Sequence, residues 1–246
     1  FIILATLAAW FGMNDLAFVK ASFKDQAVIF SRKHNWIMCI LYLGTFGSFI
    51  GFAAGFPLLI KSQFTGIDPV KYAFLGPLVG ALARPFGGWI SDKIKSGALI
   101  TQFVFIGMIV AVCGVIFFLP HNGEGGNFWG FFTCFLALFA LTGIGNGSTF
   151  MQVPVIFLNM HQKFAEEGKV SEEQARLDAT KEGAAVIGFT AAFAAYGGFF
   201  IPKSYGTSID LTSSVNAALI GFIVFYAICA ALNWWYYTCK GAEVKC

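Results

Sequence analysis

Arg84 stands near the middle of an apolar stretch, Tyr72-AFLGPLVGALARPFGGWI-Ser91, while every other Lys, Arg, Asp and Glu falls in a connecting segment or at the edge of an apolar run. A guanidinium in hydrocarbon costs at least ~2.5–3.5 kcal/mol on insertion scales, so a charge at this depth points to a functional site. Arginine cannot lose its proton at ordinary pH, and its planar fork donates parallel hydrogen bonds. The chemistry it offers is the binding of an anion. The structural alternative is an arginine that snorkels or pairs, but water beyond Ser91 is about 10 Å along the helix and no intramembrane carboxylate is in view.

Other polar residues in the apolar runs extend this reading. Tyr42 and Phe46 lie at i and i+4 in the preceding run, beside the small-residue series Gly47, Gly51 and Gly55. A tyrosine hydroxyl and an aromatic ring at that spacing can wall a small pocket. Further on, Thr142-GIGNGSTFMQV-Pro154 offers Asn146 and Ser148 between glycines. Glycines there either let two helices pack closely or bring backbone and amide donors near an anion, and composition does not separate the two. Asp92 and Lys93 end the Arg84 run, where a carboxylate can meet a helix N-terminus or a basic loop, as a conformational latch would.

These residues need elements to hold them. With 57% hydrophobic and 12% charged residues, mean hydropathy +0.72 and 30 Phe, the chain cannot cover a water-facing surface. About 20 apolar residues cross a bilayer. Six runs qualify: 36–60, 70–90, 98–119, 128–158, 182–202 and 214–237. The shorter run 1–13 is expected to be the end of another helix. Gly76, Gly80, Arg84 and Gly88 follow at i+4 steps, so this stripe is expected to meet a neighbouring helix and to turn Arg84 toward the bundle interior.

Loop charge predicts orientation. Lys20, Lys24, Arg32, Lys33, Lys93, Lys95, Lys163, Lys169, Arg176, Lys181, Lys240 and Lys245 fall on one side, and Lys61, Lys71 and Lys203 on the other. The richer side, with the C-terminus, is expected to be cytoplasmic. The segment 159–181 reads as a solvated connector in which Ser171 caps a short helix. His34, His121 and His161 read as loop residues, and the six cysteines show no CxxC spacing, so neither haem, metal nor redox chemistry is expected. The net charge of +3 is scattered rather than striped, which speaks against nucleic acid. No nucleophile, base and orienting group converge, so no enzyme is expected.

Four stretches carry a family resemblance: Tyr42-LGTFGSFIGFAAGFPL-Leu59, Tyr72-AFLGPLVGALARPFGGWIS-Asp92, Thr142-GIGNGSTFM-Gln152 and Gly197-GFFIPKSY-Gly206. Together they resemble the C-terminal half of the NarK-type nitrate/nitrite porters of the major facilitator superfamily. The resemblance implies an all-α membrane protein: a six-helix C-terminal bundle of a twelve-helix transporter, plus the end of the preceding helix. Its implied layout is the end of transmembrane helix 6 at 1–13, a cytoplasmic central loop at 14–35, the bundle at 36–237 and a cytoplasmic tail at 238–246.

By the same resemblance, Arg84 is the C-half arginine gripping a planar anion, Tyr42 a hydrogen-bonding neighbour and Phe46 an aromatic wall. Asn146, Ser148 and Gly188 complete the substrate-binding set, Gly188 through the glycine-rich helix that looks like a nitrate signature. Asp92 and Lys93 resemble a cytoplasmic gating motif, with Lys95 where a glycine is usual. The implied partners are nitrate, nitrite, the bilayer and the N-terminal six-helix half, with no cofactor, in the inner (plasma) membrane. Exchange by a rocker-switch is the expected mode, since no intramembrane Asp, Glu or His is apparent. Proton-coupled uptake, an anion channel and a sensor on the same bundle are the alternatives.

Overall fold

A bilayer gives helices little hydrophobic reason to stay together, because lipid tails are as apolar as side chains. What it demands is that every backbone amide be paired within its own helix. The computed structural model, which describes residues 2–13, 26–120 and 125–246, meets this with helices joined by short turns and, among these residues, contains no strand. The predicted central loop lies largely outside the described residues.

The helices, in chain order, are α1 (Ile2–Gly12), α2 (Lys33–Gln63), α3 (Leu75–Ile94), α4 (Gly97–Phe118), α5 (Phe128–Glu166), α6 (Glu172–Ala195), α7 (Gly197–Thr212) and α8 (Asn216–Asn233). Five spans are long and apolar enough to cross a membrane, α6 and α7 counting as one and α8 extending through a widened turn to Thr238. The sixth expected run forms α3 and a separate turn, Pro69–Tyr72, capped by the Asp68 carboxylate on the Val70 amide. Glycine, Pro85 and Arg84 dilute α3 below the others, so its identity as a span rests on its place in the bundle.

Helix α5 is the hub, with α3, α4 and α6 packed along it. Between α3 and α5 the backbones touch. A Cβ on Gly143 would stand 2.1 Å from the Gly80 carbonyl oxygen, one on Gly147 2.3 Å from that of Arg84, and one on Gly87 2.2 Å from that of Ile144. A second approach joins α2 to α7, where a Cβ on Gly197 would meet the Gly47 carbonyl at 2.2 Å. Farther along, Phe52, Phe56, Phe131, Phe135 and Phe139 are fully buried, and Phe56 stacks on Phe135 at 4.5 Å. Such contacts supply about 0.5–1.5 kcal/mol each beyond area alone, where the hydrophobic effect is absent.

Three expectations change. Successive i+4 steps gain about 40° on an α-helix, so the close-packed seam follows Gly76, Gly80 and Gly87 rather than the strict i+4 series. Gly88 has open space around it, and Arg84 sits at the seam's edge with its side chain exposed. His34 and His161 are not loop residues: both are buried within helices. The 159–181 connector is mostly helical, because α5 continues to Glu166 and Ser171 caps a long helix rather than a short one. An apolar run marks contact with lipid; a helix persists past it wherever its ends find caps.

At the end of α3, Lys95 takes the left-handed conformation, φ 58°, and its amide bonds back to Asp92. That position favours glycine, since a Cβ there costs ~1–2 kcal/mol. Lys95→Gly is therefore expected to raise the thermal midpoint of the purified protein, and Lys95→Val to lower it. For the α3–α5 seam, Gly147→Ala should cost about 1–3 kcal/mol through overpacking. Gly221→Ala, with nothing within 4 Å of its Cβ position, should leave the midpoint unchanged or slightly raised.

Candidate functional site

Helix α2 is not regular where it carries its polar residues. Leu43–Gly47 forms a π-turn, an irregularity found often at functional sites and not visible in the apolar pattern. Tyr42 opens the turn and Phe46 lies within it, their rings stacked at 5.2 Å. Tyr42 is buried and donates its hydroxyl hydrogen to Asn146 Oδ1 of α5 at 2.8 Å. One turn along, Thr45 and Thr149 share a hydrogen bond of 3.0 Å. This hydroxyl pair escaped the sequence reading; Thr149 within the glycine-rich stretch is the signal that could have revealed it.

Arg84 comes to the same place from α3. Its guanidinium carbon lies 5.7 Å from the centre of the Phe46 ring, a contact worth about 0.5–2 kcal/mol depending on desolvation. Among the described residues it has no carboxylate partner. On the helical wheel Arg84 falls roughly 60° from the glycine seam and about 150° from Leu78, Leu82, Phe86 and Trp89. Those four are exposed apolar residues. The apolar stripe suits lipid; the Arg84 sector, flanked by Ala81 and Gly88, is open and small-sided.

Four of the expected site residues thus converge: Arg84, Phe46, Tyr42 and Asn146. Asn146 is 1% exposed, its Oδ1 is taken by Tyr42, and its Nδ2 makes no hydrogen bond to any described residue. The cluster offers an exposed fixed cation and a half-buried aromatic face, with Tyr42 and Asn146 buried beside them. This arrangement can hold an anion against a ring plane.

Ser148, two positions past Asn146, points about 200° round α5 and hydrogen-bonds Thr101 of α4 at 2.7 Å. Gln152 donates to the same Thr101 hydroxyl at 2.6 Å. Gly188 lies on an exposed face of α6 with open space where a Cβ would stand. Asp92 and Lys93 are exposed at the end of α3, Lys93 lying over the Trp89 ring at 5.2 Å, and Asp92 makes no ion pair with any described residue.

The basic-rich end of the bundle holds what the sequence did not disclose. Arg32, just before α2, donates to both carboxylate oxygens of Glu182 on α6, at 2.9 and 2.7 Å. His161 of α5 lies 3.3 Å from the same carboxylate. Nearby, Glu243 of the C-terminal segment accepts from Lys33, a bond that holds its carboxyl below the usual range. The same segment receives hydrogen bonds from Ser96 at Cys246 O, 2.9 Å, and from Asn159 at Lys245 O, 3.1 Å. Concavities of about 330 and 380 Å³ lie here too, one lined by Asn159, Lys163 and Glu243, the other by Gln162, Glu172 and Arg176. Neither includes Arg84. Among the described residues no three His, Cys, Asp or Glu side chains are placed to hold a metal.

No family model matches the chain. Individual relatives do. It is 44% identical over 234 residues to the nitrate/nitrite transporter NarU of Escherichia coli, covering 95% of this chain and 50% of that protein. A probable nitrate/nitrite antiporter, NarK2 of Thermus thermophilus, is 40% identical over 250 residues, which is all of this chain and 51% of that one. The nitrite extrusion protein of Bacillus subtilis is 28% identical over 234 residues, with 93% and 50% covered. The chain spans about half the length of the curated relatives it matches. At 40–46% identity along 95% or more of its residues, its kinship with the NarK-type nitrate/nitrite porters is established.

Proposed function

We propose that the chain supplies the C-terminal half of a twelve-helix major facilitator transporter that moves nitrate and nitrite across the plasma membrane. The observation that carries this reading is the unpaired Arg84 guanidinium over the Phe46 ring, midway along a membrane helix and turned away from that helix's apolar stripe. A permanent charge on such a face needs a polar counterpart, and a planar oxyanion suits the fork and the ring together. The N-terminal six-helix half faces this side and supplies the rest of the grip. In this layout 1–13 ends transmembrane helix 6, 14–35 is the central loop, 36–237 the bundle and 238–246 the tail, with the C-terminus in the cytoplasm.

Exchange by rocker-switch alternation is the mode we favour. The relatives include a probable antiporter and a nitrite extrusion protein, and exchange of one anion for another returns the site to the same charge each cycle. Gly188 on an exposed face of α6 and the exposed Asp92–Lys93 turn leave room, in this reading, for one half to slide on the other. Ser148 enters indirectly in this reading, by fixing α5 to α4 through Thr101. No chemical conversion of the anion is involved.

In the full-length protein, Arg84→Lys keeps the charge but loses the planar fork, so nitrate affinity should fall at least tenfold, about 1.4 kcal/mol. The variant should still insert and purify as one species. Arg84→Ala should abolish exchange in proteoliposomes while leaving thermal stability equal or higher, because an unpaired intramembrane charge is removed. Near-normal exchange by a well-folded Arg84→Ala protein would end this reading. Tyr42→Phe removes one hydrogen bond, about 1 kcal/mol, and frees Asn146; nitrate affinity should fall several-fold while chloride competition rises. Chloride competing as well as nitrite in the unmodified protein would remove the planar-recognition argument.

A further inference from the structure

A π-turn is rare and persists mostly as a single turn within an α-helix, so the surroundings of Leu43–Gly47 have to hold it. At its end the Ser48 amide reaches back five residues to the Leu43 carbonyl. Three of its residues are pinned. A Cβ on Gly44 would stand 2.8 Å from the Phe105 ring of α4, and one on Gly47 2.8 Å from the Ala194 carbonyl oxygen of α6. Between them Thr45, 0% exposed, lies against α5, where a Cβ on Gly145 would come within 2.7 Å of its methyl carbon. The polar pin is the hydrogen bond from Thr45 to Thr149, and it has a direction. Thr149 is also 0% exposed, has one hydroxyl proton, and lies 2.6 Å from the Gly145 carbonyl oxygen of its own helix. The proton goes there, and the Thr149 oxygen accepts from Thr45 at 3.0 Å. Thr45 has a second acceptor in its own helix, the Leu41 carbonyl oxygen at 3.3 Å. Removing the Thr149 hydroxyl therefore strands no buried donor; what is lost is the tie from the π-turn to α5.

We infer that Thr149 is a positioning residue for the anion site, holding the π-turn through Thr45 so that the Phe46 ring stands over Arg84. Phe46 follows Thr45 directly and is half-buried. Its ring lies 5.2 Å from that of Tyr42 and 5.7 Å from the guanidinium carbon. Tyr42 and Thr45 both bond to α5, at 2.8 and 3.0 Å, so the segment leading to Phe46 is tied at two points. Thr149 is buried one turn past Asn146 and acts without touching the anion. With its hydroxyl gone, Thr45 turns to Leu41, the tie through Tyr42 is left to hold the turn, and the ring moves off the guanidinium. The role toward the anion rests on the reading proposed above; the hold on the ring does not.

The test uses purified full-length protein with para-fluorophenylalanine at position 46. Fluorine NMR reads the ring's surroundings without nitrate, and calorimetric titration with nitrate reads affinity. Thr149→Val keeps the shape and removes the hydroxyl. It should shift or split the fluorine signal and weaken nitrate binding about fivefold, the loss that goes with one hydrogen bond. Thr149→Ser keeps the hydroxyl and should retain the signal, with affinity within about twofold of wild type. A fluorine signal unmoved by Thr149→Val overturns the inference, as does a moved signal with nitrate affinity unchanged. Loss in both variants overturns it too, because packing rather than the hydrogen bond would then be responsible. Thr45→Val removes the same bond from the other side and is read in the same way if Thr149→Val does not fold. Arg84→Lys separates the two readings. Undiminished nitrate affinity in that variant counts against the anion site, while the fluorine signal still decides whether Thr149 holds the ring.

Discussion

The contact of α3 with α5, backbone on backbone, is the interaction on which the rest of this bundle depends. Inside a bilayer the usual driving force for burying apolar side chains is gone, and close approach has to supply the difference through dispersion. Glycine makes that approach possible: the Gly143, Gly147 and Gly87 positions leave no room for a Cβ beside the facing carbonyl oxygens. The consequence for chemistry is positional. With Gly147 lying on the Arg84 carbonyl, the Arg84 side chain is fixed at the rim of the seam, level with Phe46 of α2 and Asn146 of α5. A wider helix separation would carry the guanidinium away from the ring and the amide.

The seam also explains the division of labour among the polar residues. Thr101 of α4 bonds to Ser148 and Gln152 of α5 and so holds α4 to the hub, with the Gln152 carbonyl oxygen left without a partner among the described residues. Those facing α2 and the open side are left with capacity to spare: the Asn146 amide hydrogens and the Arg84 fork have no protein partner among the described residues. Satisfied polar groups fasten helices, whereas a cation without a partner at membrane depth marks a candidate functional site. The π-turn at Leu43–Gly47 serves both purposes by presenting Phe46 beside Tyr42 while Gly47 meets Gly197.

Much of this was legible in the residues, and the rest was not for identifiable reasons. Apolar length located the spans, since a bilayer enforces it, and Arg84 was conspicuous because charge at that depth is costly. The spacing of Tyr42 and Phe46 led to a stacked pair because i and i+4 share a helix face. The direction of Arg84 was misjudged, since an i+4 series drifts off a 3.6-residue helix and the true seam ran through Gly87. Glu182, Arg32 and His161 were passed over because they are distant in sequence and lie beyond or at the edge of apolar runs. Hydropathy reports where lipid ends and says nothing of charges that bury one another just past that boundary.

The central claim is that Arg84 and Phe46 form half of a planar-anion site, completed by residues outside this chain. The most direct test is a structure of the full-length protein determined with nitrate. The account predicts nitrate within hydrogen-bonding distance of the Arg84 guanidinium, its plane lying along the Phe46 ring, with the Tyr42–Asn146 hydrogen bond intact or turned toward the ligand. Arg84 bound instead to a carboxylate from the other half, with nitrate elsewhere or absent, would contradict it.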